Sequence, residues 1–200
     1  MFGDYGYEET TMRSIAKKAG VALGNTYYHF RSKEHLIQAY YERMHDLSQE
    51  SCNELLKKEK SLKGRLLGVM RQILENMEPY HQFAGILFKT AADPQSPLNP
   101  FSPESEQTRR ASIELFGEVV RGSNTRIPPD LEKELPALLW LYHMGVTLFW
   151  IHDNSNGQKK TRRLMESTVE IVVKLIQLAS LPLMRPLRKS VLKLLADLRE

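Results

Sequence analysis

Apolar side chains recur at intervals of three and four along most of the 200 residues, the spacing of helices that each bury one face. Leu36, Tyr40, Met44 and Leu47 keep that spacing inside a long segment, 32–59, which Ser32 is placed to cap. Leu62, Leu66, Val69, Met70, Ile73, Leu74 and Met77 form the next stripe, and Pro79 opens another helix that runs to about residue 92. The stretch TRRASIELFGEVVRG predicts a helix stopped by Gly122. Two long helices follow at 131–152 and 158–181, and a shorter amphipathic one at 187–199 comes after breaks at Pro182 and Pro186. Val and Ile are sparse and no stretch alternates apolar with polar for long, so the chain reads as all-α.

Two segments interrupt this pattern. DPQSPLNPFSPESE, residues 93–106, holds four prolines and cannot be regular structure. A loop of that length, ordered or mobile, is usually functional, and together with the helices on either side it is expected to admit a ligand. The other interruption is AGVALGNTYYHFRSKEHL, residues 19–36, where two strongly helical stretches are separated by a tight turn and a short helix.

A helix over 11–18, a turn at Gly20 to Ala22 and a second helix over 23–29 make the pattern of a helix-turn-helix. Ile15, Ala16 and Ala19 are expected to face inward, Gly20 to end the first helix with a positive φ, and Val21 to fill the gap between the two. On the second helix Leu23, Thr26, Tyr27 and Phe30 share one face, and Gly24, Asn25, Tyr28 and His29 share the other. The outer set suits DNA. Glycine lets a backbone come close, asparagine matches an adenine edge, and tyrosine and histidine reach phosphate oxygens. Lys33 at the start of the next helix, with Thr10 and Thr11 ahead of the first, adds candidate phosphate contacts.

The stretch GYEETTMRSIAKKAGVALGNTYYHFRSKEHL resembles the DNA-binding domain of the TetR family of bacterial transcriptional repressors, with its Gly-Tyr, paired Thr, Ile-Ala, Ala-Gly-Val, then Gly, Tyr, Phe and a Ser-Lys-Glu helix start. The resemblance implies an all-helical homodimer with a DNA-binding part, 1–44, and a ligand-binding and dimerisation part, 45–200. It further implies binding to a palindromic operator and release by a small molecule. The family's DNA-facing positions fall on Thr11, Arg13, Leu23, Gly24, Asn25, Tyr27, Tyr28, His29 and Lys33. Tyr27 lies at the edge of the buried face on the helical wheel, yet the resemblance sends it to the DNA. Ala22 stands where the family has Ser or Thr, and only Met1 and Phe2 stand where it has an amphipathic first helix, so most of that helix is expected to be absent.

Past residue 130 the apolar stripes are wider than one core requires. Leu138, Leu141 and Phe149, with Leu164, Ile171 and Leu175, are expected to pair the helices 131–152 and 158–181 with those of a second copy as a four-helix bundle. Met70, Phe83, Phe88, Phe116, Trp140 and Met144 read either as plain core or as the wall of a ligand cavity, with Tyr80, His81, Tyr142 and His143 as its polar groups.

Composition narrows the function. A net charge of +4 is compatible with a polyanionic partner, but most Lys and Arg lie beside acids and the charge alone decides nothing. Cys52 is the only cysteine, which excludes an internal disulfide, and with no signal-peptide profile the expected location is the cytoplasm. The uncharged run 135–151 is shorter than the roughly 20 residues of a bilayer span, which predicts a buried helix and no membrane partner. His143 and His152 point to opposite sides of a helix, and Cys52 has no motif tying it to a base, so no enzyme, metal or cofactor is expected. A ligand-responsive repressor is the leading function; a helical carrier or interaction module with weakened DNA binding is the alternative.

Overall fold

The computed structural model describes residues 2–197, apart from the side chains of residues 3 and 4. Among these residues there is no strand. The α-helices are α1 (Phe2–Glu9), α2 (Met12–Ala19), α3 (Leu23–His29), α4 (Lys33–Lys58), α5 (Leu62–Met77), α6 (His81–Ala91), α7 (Glu106–Arg121), α8 (Pro129–Ile151), α9 (Lys159–Ala179) and α10 (Arg185–Asp197). Pro186 lies in the first turn of α10 rather than ahead of it, because a proline there gives up only an amide with no intrahelical partner. The expected end of that helix at residue 199 lies outside the described residues. Ahead of Gly6, where α1 breaks at φ 82°, stands one helical turn, 2–5.

The chain divides into two compact units, Met1–Leu47 with Glu75–Ala111, and Ser48–Leu74 with Ser112–Glu200. In the first, Ile37, Leu87 and Leu98 form a buried cluster against which Phe2, Tyr7, Tyr41, Phe83 and Ala91 pack. Phe2 stacks on Phe83 at 5.3 Å between ring centroids, and Tyr40 meets Phe83 edge-on at 5.6 Å. The proline-rich segment belongs to this core. It is a chain of tight turns in which Ser96, Asn99 and Ser102 each donate a backbone N–H three residues back, at 3.1, 2.9 and 3.0 Å. Gln38 on α4 donates to the Pro97 carbonyl at 2.7 Å and to Ser105 Oγ at 3.0 Å, which fastens the turns to the helix. Prolines thus remove helical amides without removing order, because serine hydroxyls and turn amides satisfy the backbone instead.

In the second unit α5, α7, α8 and α9 bury their apolar faces together, with Leu66, Val69, Met70, Phe116, Val119, Leu139, Trp150, Met165 and Val169 among the most enclosed side chains. α8 is 23 residues, longer than the uncharged run inside it, and is long and apolar enough to cross a bilayer. Core helices meet the same criterion, and here Leu131, Leu135, Leu139, Trp140, Val146 and Trp150 of α8 are buried in the unit. Arg65 is buried too. Its guanidinium donates to the carbonyls of Leu56 (2.5 Å), Glu59 (2.8 Å), Glu118 (2.7 Å) and Val119 (2.9 Å), at the C-terminal ends of α4 and α7.

Candidate nucleic-acid interface

Thr11 caps α2 reciprocally with Ser14: Thr11 Oγ1 accepts from the Ser14 amide at 3.1 Å, and Ser14 Oγ accepts from the Thr11 amide at 3.0 Å. Gly20 ends the helix at φ 70°, ψ 26°, left-handed backbone that a side chain would strain. The Val21 amide then closes onto the Ala16 carbonyl at 3.1 Å and α3 starts at Leu23. Two expectations fail here. Ala19 and Val21 are exposed, and the buried side chains of α2 and α3 are Met12, Ala16 and Thr26 instead. Thr10 is also excluded as a phosphate contact, since it is buried and its hydroxyl donates to the Gly6 carbonyl at 2.6 Å.

α3 presents the expected side chains outward. Gly24, Asn25, Tyr28 and His29 are exposed, with Tyr28 at 84%, and Leu23 is half-buried. Tyr27 is 51% exposed, so the position at the edge of the helical wheel faces solvent. A β-carbon at Gly24 would meet nothing within 4 Å, which leaves that stretch of backbone open to another surface. Tyr28 and His29 pack edge to face at 5.1 Å and hold each other away from the core. Arg13 is exposed on α2, and Ala22 caps α3 with no side-chain bond.

Lys33 is more committed than the sequence suggests. Its ammonium donates to the Tyr7 carbonyl at 2.8 Å and stands over the Tyr7 ring at 4.2 Å, while the Tyr7 hydroxyl donates to Glu34. Burial and the Glu34 carboxylate push the Tyr7 hydroxyl well above the ordinary phenol range. Burial opposes ionisation of Glu34, but bonds from Tyr7 and Ser32 outweigh it and hold the carboxyl below its usual value. Lys33 therefore joins α1 to the start of α4 and keeps only its remaining N–H groups for a phosphate.

Charge is the feature that sequence reading overlooked. Between Thr11 and His35 lie Arg13, Lys17, Lys18, Arg31 and Lys33 against the single acid Glu34, a net +4 that equals the formal charge of the whole chain. The rest of the chain sums to zero, although Lys159, Lys160, Arg162 and Arg163 make a second exposed basic run on α9. Lys17, Lys18 and Arg31 are exposed and belong to the helix-turn-helix surface. Counting charge over this window rather than the whole chain would have found them.

The expected ligand-wall residues are not gathered in one unit. Phe83 and Phe88 lie in the first unit; Met70, Phe116 and Trp140, buried, and Met144, half-buried, lie in the second. Tyr80 is exposed, and the Tyr142 hydroxyl is taken up by Thr168 Oγ1 at 2.6 Å. Of the expected pairing residues, Leu141, Phe149, Ile171 and Leu175 are exposed, and Leu138 and Leu164 are half-buried. Cys52 is buried, which pushes its thiol up to about 11. Among the described residues no group of three or more His, Cys, Asp or Glu side chains is arranged to hold a metal.

Residues 1–40 match the family described as bacterial regulatory proteins, tetR family, and residues 65–193 match the tetracyclin repressor-like C-terminal domain. The chain belongs to the TetR family. It is similar to the HTH-type transcriptional repressor KstR2 of Mycolicibacterium smegmatis, 28% identical over 138 residues, 68% of this chain and 66%, just under two thirds, of that repressor. At the level of the fold it is similar to the transcriptional regulator FadR of Bacillus subtilis in complex with stearoyl-CoA, at TM-score 0.64 and 15% identity over 84% of this chain and 91% of that one. The ketosteroid transcriptional regulator KstR2 of Mycobacterium tuberculosis follows at TM-score 0.50 and 20% identity, over 88% and 89%. As in other TetR-family chains, the helix-turn-helix comes first and a larger helical part follows.

Proposed function

We propose that this TetR-family chain is a transcriptional repressor that binds operator DNA as a homodimer and releases it when a small molecule occupies the helical part. The observation that carries the reading is the coincidence, on one short stretch, of five cations against a single acid with an outward-facing Gly24, Asn25, Tyr27, Tyr28 and His29. Arg13, Lys33 and the Thr11 cap position this stretch on phosphates, and Asn25 reads a base edge. Residues 1–44 serve DNA binding, and 45–200 serve the ligand and the second copy.

Dimerisation is supported by the second unit. Leu141, Leu148 and Phe149 on α8 and Ile171, Leu175 and Leu178 on α9 are large apolar side chains left exposed, and a β-carbon at Gly145 would meet nothing within 4 Å. A second copy brought against these helices buries both sets and supplies the second probe helix that a palindrome needs. A regulator of genes works beside the chromosome, which places it in the cytoplasm.

A gel shift with the DNA upstream of the chain's own gene tests the reading. A saturable shift, competed by the same fragment and not by unrelated DNA, is expected. Absence of any specific shift would instead favour the carrier or interaction module.

A further inference from the structure

His143 is buried on α8 and faces Phe116 of α7, with 5.6 Å between ring centroids. Its Nε2 has a long 3.4 Å contact with Thr147 Oγ1, one turn along the same helix. Its Nδ1 has no hydrogen-bond partner. A structural histidine in a core normally has both nitrogens engaged, because leaving one dry and unpaired is costly. Phenylalanine would fill the same space without that cost, so the imidazole at this place needs another account.

The surroundings restrict what the free nitrogen meets. Burial lowers His143 to about 4, so the ring is neutral at physiological pH and presents a dipole rather than a charge. The buried charged groups of this unit are already committed: Arg65 to four helix-end carbonyls, and Asp153 to the Ser155 amide (2.9 Å) and to the amide (2.8 Å) and hydroxyl (2.7 Å) of Thr161. The other unpartnered buried atom described in the unit, Gln158 Oε1, stands in the turn before α9. Phe116 stands across from His143 on α7, and its neighbours along α8, Leu139, Trp140 and Val146, are buried apolar side chains. Such a place accepts no net charge from a guest and offers one hydrogen bond.

We propose that His143 Nδ1 is where this chain recognises its effector, and that the effector is an uncharged, mainly apolar molecule carrying a carbonyl or hydroxyl oxygen for that nitrogen. The inference rests on the reading of the helical part as effector-binding. It adds to that reading the residue and the chemical class.

The test uses the full chain and two variants: His143→Phe, which keeps the ring and removes both nitrogens, and His143→Asn, whose amide reaches the Nδ1 position. The probes are two ketones of different shape, androst-4-ene-3,17-dione and 2-dodecanone, their hydrocarbon counterparts 5α-androstane and dodecane, and the anion dodecanoate. At least one ketone is expected to bind the unmodified chain tenfold or more tightly than its hydrocarbon. That advantage should vanish in His143→Phe and return in part in His143→Asn, with the unliganded midpoint of His143→Phe at or above that of the unmodified chain. The proposal is overturned if neither ketone surpasses its hydrocarbon, if dodecanoate binds best, if the ketone advantage survives in His143→Phe, or if that variant's unliganded midpoint falls. A gel shift without any probe is run alongside. Loss of DNA binding with the ketone preference intact refutes the regulator reading alone, and the reverse result refutes this inference alone.

Discussion

A β-carbon on Gly122 would fall onto the guanidinium of Arg65, 2.9 Å from Nη1 and nearer still to Cζ and Nη2. The end of a long side chain usually moves aside at little cost, but this one is held by four helix-end carbonyls. Displacing it breaks those hydrogen bonds and leaves a buried charge without partners. Gly122→Ala is therefore expected to destabilise the protein by about 2 kcal/mol, and Arg65→Met, which removes all four of these hydrogen bonds, by about 3 kcal/mol or more. Urea unfolding with unchanged slope checks both; a midpoint unmoved in Arg65→Met contradicts the role given to it.

Acid should weaken the fold in two separable steps. His143 takes a proton near 6.5 when unfolded but only at about 4 when folded, so the unfolded chain binds more protons between those values. Stability is full above pH 6.5 and falls as the pH drops toward 4, by about 3 kcal/mol in all. Asp153 behaves differently: burial works against its charge, but bonds from Ser155 and Thr161 prevail and hold it far below the carboxylate range. Its contribution disappears only below about pH 4. Melting curves across this range should show the upper step missing in His143→Phe; an unchanged upper step would assign it to another group.

Gly24 separates folding from binding. Its added β-carbon meets nothing and alanine is the better helix former, so Gly24→Ala should leave the free protein as stable as before or up to about 1 kcal/mol more stable. On DNA the same methyl obstructs the close approach, and affinity should fall. Asn25→Ala should relax the preference at one base pair by about 1 to 3 kcal/mol. Affinity measured on operator variants decides; equal loss on all sequences for Asn25→Ala contradicts base reading.

Leu141→Glu and Leu175→Glu place charges on the exposed apolar faces of α8 and α9. Light scattering at micromolar concentration is expected to give a dimer for the unmodified chain and a monomer for either variant, with loss of operator affinity. A dimer that survives both substitutions would put the interface elsewhere.

The helical periodicity of the chain was enough to place the helices from α4 on, though not α1, because stripes such as Leu62 to Met77 report burial directly. The outward set on α3 was legible for the same reason, and Ser32 caps α4 as its position suggests, accepting from the His35 amide at 3.2 Å. Contacts between residues distant in sequence were not. Arg65 looks like one more charge in ELLKKEKSLKGR, and only the meeting of α4 and α7 makes it a buried donor. Asp153 looks like part of a turn, and only the return of the chain at Thr161 gives its carboxylate the amide and hydroxyl in the first turn of α9. Lys33 reads as a phosphate ligand until Tyr7 is found beneath it.

The affinity of the chain for its own upstream DNA, measured against salt concentration, tests the central claim most directly. Each phosphate neutralised contributes a slope of about −0.9 in log affinity against log salt, and a dimer carries Arg13, Lys17, Lys18, Arg31 and Lys33 twice. A slope steeper than about −4 is expected, reduced by about 1 to 2 in Lys17→Ala and Arg31→Ala, each of which removes two cations from the dimer. A slope near zero, or one that these substitutions leave unchanged, would contradict the account.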